Sequence, residues 1–213
     1  MEPNSIKELE KDIKKLEAEI GVPEKFSYDV FNRGDDWSFV ITLHSFLEAA
    51  LTQLIIKTLK KKELEEIIIS RLDMIDKVAY TKSLSILSKG TRRYLRKLSE
   101  IRNFYVHNIK SISINLGQYL KSSDSNQLKG FIKAIRFGIK EDIKLKEKGK
   151  WINRDAICEA FPRFAIFISG QTVISEITAQ IGLEKHRKKI EEYKIKIAES
   201  FFPPPPKKKA ERI

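Results

Sequence analysis

Apolar residues recur along most of the chain at spacings of three and four, the mark of amphipathic helices. Ile6, Leu9, Ile13, Leu16 and Ile20 alternate steps of three and four, a coiled-coil-like seam of about two heptads. Ser5-Ile6-Lys7-Glu8 opens it as a capping box, and Gly21 and Pro23 close it. So short a seam does not dimerise alone. The helix is expected to pack on the body of the chain or on a second copy. Asn32 to Asp36 form a turn with acidic capping residues, and a long helix is expected over residues 37–60. Its stripe is Trp37, Val40, Ile41, His44, Leu47, Leu51, Leu54, Ile55 and Leu59, with a second edge at Phe39, Leu43, Phe46 and Ala50. A helix apolar over more than half its circumference belongs in the middle of a bundle.

A further helical stretch covers residues 64–87, with a break near Tyr80. Ser88-Lys89-Gly90 interrupts the pattern and Thr91 caps a helix over residues 92–108, whose buried edge reads Leu95, Leu98, Ile101, Tyr105 and Ile109. Residues 111–116, SISINL, alternate apolar and polar and read as a short strand or extended loop. Residues 122–126 form a loop, and helices follow over residues 127–146, 155–181 and 183–200, with Pro162 a kink or a new start. Six to eight helices and little or no sheet make the fold class all-α. The organisation predicted is an N-terminal heptad helix (1–22), a helical domain (30–182), a charged C-terminal helix (183–202) and a disordered Pro/Lys tail (203–213).

Composition narrows the classes. A single cysteine, Cys158, excludes an internal disulfide framework and any multi-cysteine zinc site, and it suits a small core position. With only His44, His107 and His186 beside it, no metal site is expected. The longest uncharged stretch, residues 164–175, is 12 residues, against about 20 for a spanning helix. The acidic N-terminus lacks the apolar core of a signal peptide. No membrane partner and a cytoplasmic location are therefore the expectations.

Charge is concentrated. Between residues 89 and 110 stand Lys89, Arg92, Arg93, Arg96, Lys97, Arg102 and Lys110 against Glu100 alone, half of the net charge of +12. Such a patch attracts phosphate backbones through counterion release. Arg92, Arg93, Arg96 and Lys97 are the RNA-binding candidates. The same helix carries Arg102, Asn103 and His107. Asn103 and His107 are four apart and share a face, and Arg102 sits at its edge. A histidine moves protons near neutral pH, an arginine braces phosphoryl charge, and an amide orients a hydroxyl. RNA carries its own nucleophile, the 2′-OH, so the trio needs neither metal nor cofactor. His44 and Glu48 are supporting candidates on the long central helix. Arg102 is the expected partner for Glu48 if that carboxylate is buried. His186, among charged residues, reads as solvated.

The Arg-Asn-x-x-x-His pattern, late in an amphipathic helix of an all-helical chain, resembles the HEPN superfamily. That resemblance implies a helical bundle and a metal-independent endoribonuclease, active as a homodimer with both motifs near the shared interface, in toxin or phage-defence roles. Its site carries over to Arg102, Asn103 and His107. Leu43-His44-Ser45-Phe46-Leu47-Glu48 and Leu98-Ser99-Glu100-Ile101-Arg102-Asn103, with Pro162-Arg163-Phe164, also resemble the mannitol operon repressor family over about residues 30–180. The sequence departs from that family where Leu84-Ser85-Ile86-Leu87 replaces an Ala-Leu-Gly step. This second resemblance implies a non-catalytic transcriptional regulator acting through protein contacts. The apolar circumference of the Trp37 helix and the Ile6 to Ile20 seam also favour a homodimer. The first resemblance adds RNA and a cognate antitoxin as partners, the second a regulatory protein.

Overall fold

In a computed structural model, which describes residues 3–139, 145–147 and 150–201, the organising element is helix α3, Asp36–Leu59. Asp35 caps it, its carboxylate accepting from the Ser38 amide at 2.6 Å, and Lys60 ends it in a left-handed conformation. Phe39, Val40, Leu43, Leu47, Ala50, Leu51, Leu54 and Ile55 are fully buried and spread around the helix. Each large side chain of this kind contributes roughly 1.5–3 kcal/mol on leaving water. The helix can bury them only because others surround it: α1 (Pro3–Ile20), α4 (Glu65–Arg71), α5 (Met74–Ser83), α6 (Lys89–His107) and α10 (Pro162–Phe201). The fold is an all-α bundle.

Helix α1 packs on α3 and α10 through Ile13 and Leu16, so its seam meets the body of the same chain. It starts at Pro3, a residue suited to a first helical position, which leaves Ser5 inside the helix and not at its cap. Its buried Glu17 accepts from the Lys25 and Ser27 amides, both at 2.9 Å, and from the Ser27 hydroxyl at 2.7 Å. That ties α1 to the short α2 (Phe26–Asp29). Arg163 makes a second tie. It pairs with Asp36 at 3.1 Å, donates to the Phe31 and Arg33 carbonyls and stacks over Phe31 and Phe39.

The structure corrects several element boundaries. The break between α4 and α5 falls at Leu72-Asp73, where Asp73 caps α5 through the Asp76 amide, not near Tyr80, which lies inside α5. Ser88, not Thr91, caps α6: its hydroxyl accepts from the Thr91 amide. Residues 111–116 form no strand, and only Ile114 and Asn115 among them are extended. A 3-10 turn covers Ile109–Ser113, and α7 follows at Leu116–Ser122. Asn108 and Asn115, which cap these two elements, are the local signals that outweigh six residues of alternation. The expected 127–146 helix is α8, Ser125–Ile135, and it gives way to a 3-10 turn and a two-stranded hairpin, β1 (Leu145–Glu147) and β2 (Lys150–Ile152). Helix α9, Arg154–Ala160, ends at Phe161, and α10 starts at Pro162 and continues through the expected boundary at 182/183 without a break. Ten α-helical segments thus stand among the described residues, above the six to eight expected. The Pro/Lys tail lies outside them.

Two close approaches fix α6 and α10. A side chain at Gly138 would overlap the Ser169 backbone, so the turn after α8 rests directly on α10. Gly170 leaves room for Leu43 and for the Tyr94 hydroxyl, which donates to the Ile166 carbonyl at 2.9 Å. By length and composition α3 and residues 162–184 of α10 could each cross a membrane, yet 67% and 50% of their apolar windows are buried inside the protein.

Candidate active site

Helix α6 is amphipathic, with Thr91, Tyr94, Leu95, Leu98, Ser99, Ile101 and Tyr105 buried, and it packs on α3, α5 and α8. Ile109, expected on that edge, lies beyond the helix and is 78% exposed. Because 103 and 107 lie a turn apart on the outer face, Asn103 and His107 are both exposed. Arg102, one step round, is half-buried and donates from Nη1 to the Asn103 Oδ1 at 3.1 Å. The amide's own N–H groups thereby point away from the arginine, available to a ligand on the same face. His107 is the last residue of the helix.

Behind Arg102 lies a sequestered chain of polar groups. His44, 6% exposed, meets the Ser99 hydroxyl through Nε2 at 3.2 Å and the Glu48 carboxylate through Nδ1 at 3.8 Å. Burial pushes the His44 imidazole down from 6.5 to about 4. The Glu48 and Asp73 carboxylates oppose the shift, and the Arg102 and Lys77 charges add to it. His44 is therefore neutral near pH 7 and serves as a hydrogen-bond partner and not a proton carrier. Glu48 pairs with Lys77 at 2.8 Å, not with Arg102. Lys77 lies on the buried stripe Met74, Val78, Thr81 of α5 and is itself 3% exposed, so it reaches the carboxylate first. Glu48 and Lys77 also line a cavity of about 340 Å³ with Ser45, Thr52 and Gln53.

The four RNA-binding candidates converge. Arg92, Arg93, Arg96 and Lys97 line one groove of about 480 Å³, joined by Lys89 and by Lys82 from α5. Gly130 and Ala134 of α8 complete it, and Glu100 is its one carboxylate. Three of these cations also hold structure. Arg92 donates to the Leu87 carbonyl, Arg93 to that of Lys133, and Lys97 pairs with Glu100. No hydrogen bond or ion pair engages the side chains of Lys82, Lys89 or Arg96 among the described residues. At the other end of α6, beside His107, Val106, Ile109 and Ile112 are 43%, 78% and 42% exposed.

Sequence reasoning missed Lys77, Ser99, Lys82 and Gly130. The first two were readable, since Lys77 falls on the apolar stripe of α5 and Ser99 on that of α6, beside Leu95, Leu98 and Arg102. Lys82 and Gly130 reach the groove only through tertiary packing. Cys158 is buried, which pushes its thiol up to about 12. Among the described residues no group of three or more His, Cys, Asp or Glu could hold a metal ion; the side chain of His186 lies outside them. No protein-family model, curated protein or solved structure matches the chain.

Proposed function

We propose that this chain is a metal-independent endoribonuclease of the HEPN type, acting on cytoplasmic RNA as a homodimer. The observation that carries the reading is the C-terminal end of α6, where the Arg102–Asn103 pair and the exposed His107 share one end of the helix that also lines the basic groove. His107 takes the proton from a ribose 2′-OH as general base. The 2′-oxygen attacks the adjacent phosphorus, the bond to the 5′-oxygen breaks, and that oxygen leaves with a proton from solvent or from the second copy's imidazole. The products are a 2′,3′-cyclic phosphate and a 5′-OH. Arg102 braces the charge that develops on the phosphoryl oxygens, and Asn103 positions the hydroxyl. Exposed Val106, Ile109 and Ile112 supply an apolar rim for the second copy. A toxin or phage-defence role, with a cognate antitoxin covering this end, fits such an activity.

The test compares wild type and His107→Ala on labelled single-stranded RNA with EDTA present. Cleavage by wild type, at least a hundredfold slower in the variant and absent on DNA, supports the proposal. Equal residual cleavage in both defeats it. The second reading is a regulator acting through protein contacts, favoured by the same exposed apolar rim and by the locked, neutral His44. It predicts no cleavage at all and loss of partner binding in Ile109→Glu.

A further inference from the structure

The groove between α5, α6 and α8 is walled by cations and floored by Gly130 and Ala134. Its volume of about 480 Å³ falls in the range, roughly 300–1,000 Å³, that encloses one drug-sized ligand. That is room for about one nucleotide unit and none for a duplex, whose rigid paired backbones could meet only the rim. The two small residues are one helical turn apart on α8, so they open a notch where a phosphate or sugar can approach the helix closely. A Cβ at Gly130 would meet only the Lys97 Nζ, at 3.8 Å, so the notch is open space and not a packing necessity. Lys82, Lys89 and Arg96, the cations not spent on protein partners, supply charge to an incoming phosphate.

Arg93 and Arg96 precede His107 by 14 and 11 residues on one continuous helix, so they stand about 21 and 16 Å from it along the axis at ~1.5 Å per residue. We propose that this groove is an exosite for the phosphodiester backbone of single-stranded nucleic acid, spaced several nucleotides from the Arg102–His107 end. It deepens the ribonuclease reading and rests on it only for the identity of the bound strand as substrate. At ~3.4 Å per stacked nucleotide, a strand of about five or more nucleotides touches both places, and a shorter one touches only one. Recognition through phosphates is indifferent to the 2′-OH, so single-stranded DNA binds as well, although it is not cut.

Wild-type protein can therefore be tested with uncleavable probes: fluorescein-labelled oligothymidylates of 3, 6 and 12 nucleotides and a 12-base-pair duplex, by anisotropy at low salt. The 6-mer and 12-mer should bind at least tenfold more tightly than the 3-mer and the duplex. Gly130→Leu fills the floor without changing charge, and leucine favours the helix. It should weaken the 12-mer at least tenfold with an unchanged circular dichroism spectrum. Lys82→Glu should do the same, whereas Lys121→Glu, an equal charge change on α7, should stay within twofold. Equal binding of duplex and single strand, or wild-type affinity in a folded Gly130→Leu, overturns the exosite in favour of a diffuse positive field. If Gly130→Leu unfolds, the Lys82→Glu against Lys121→Glu contrast decides, equal losses overturning the proposal. Failure of RNA cleavage with the binding pattern intact would remove the ribonuclease reading and leave the groove.

Discussion

The two ends of α6 are built differently. At the N-terminal end the backbone is anchored: Ser88 caps it, and Glu176 of α10 accepts from the Ser88 amide and from the Ser88 and Thr91 hydroxyls. Tyr94 is buried and bonded to α10, and the charged face runs along a groove that the chain completes by itself. At the C-terminal end only the inner face is held. His44 meets Ser99 and Glu48 on the inner side, near enough to Arg102 for its charge to act on the imidazole, while Asn103, His107, Val106 and Ile109 face outward. The difference teaches that the basic groove is finished within one chain, whereas the Arg102–His107 end is left open, and it is there that the proposed function puts a second copy or a substrate.

Removing an anchor and removing an exposed group should therefore have opposite signatures. Tyr94→Ala takes out a fully buried ring and should cost about 3–5 kcal/mol of unfolding free energy, with activity lost only as the fold is lost. Asn103→Ala, at an exposed position, should stay within about 0.5 kcal/mol by the same denaturant titration while lowering cleavage. A stability loss at Asn103 comparable with that at Tyr94 would make the outer face structural.

The sheltered side of the C-terminal end has its own signature in pH. His44 is held near 4 when folded and titrates near 6.5 when unfolded. Its stabilising contribution is complete above about 6.5, falls as the unfolded chain takes up a proton between 6.5 and 4, and is gone below about 4. At 1.36 kcal/mol per pH unit this amounts to about 3 kcal/mol. His44→Gln can keep a hydrogen bond to Ser99 without titrating, so its stability should fall less between pH 7 and 4.5 by most of that amount. An unchanged acid dependence would mean that His44 is not held neutral.

The smallest expected effect on the monomer fold is at the apolar rim. Ile109→Glu should alter unfolding by no more than about 0.5 kcal/mol, yet convert a dimer to a monomer in light scattering. A wild-type chain that is monomeric at high micromolar concentration would leave the rim without a second copy and weaken the chemistry assigned to this end.

Much of the frame was legible in sequence because it rests on long periodic runs. The stripe from Phe39 to Ile55 places α3 at the centre, and Leu95, Leu98, Ile101 and Tyr105 face inward as their spacing requires. The failures came where short-range chemistry outweighs periodicity. Asn108 and Asn115 turn SISINL into a 3-10 turn and a helix start. No local signal marked the end of α8 at Ile135 or the continuity of α10 through Gly182. At the site, sequence spacing brought Arg102, Asn103 and His107 together because they share one helix. It could not choose between Arg102 and Lys77 as the partner of Glu48, since that choice depends on how α5 lies against α3. Lys82 and Gly130 entered the groove for the same reason, through helices distant in sequence.

The measurement that tests the division of labour along α6 most directly is single-turnover RNA cleavage against enzyme concentration, with EDTA present, for His107→Ala and Arg96→Glu. The account predicts that His107→Ala lowers the maximal rate by about 10²–10⁴ with little change in the half-saturating concentration. Arg96→Glu should raise that concentration at least tenfold, and its effect on the maximal rate should be far smaller than that of His107→Ala. A weakened half-saturation in His107→Ala with an unchanged ceiling, or a ceiling lowered equally in both variants, would contradict it.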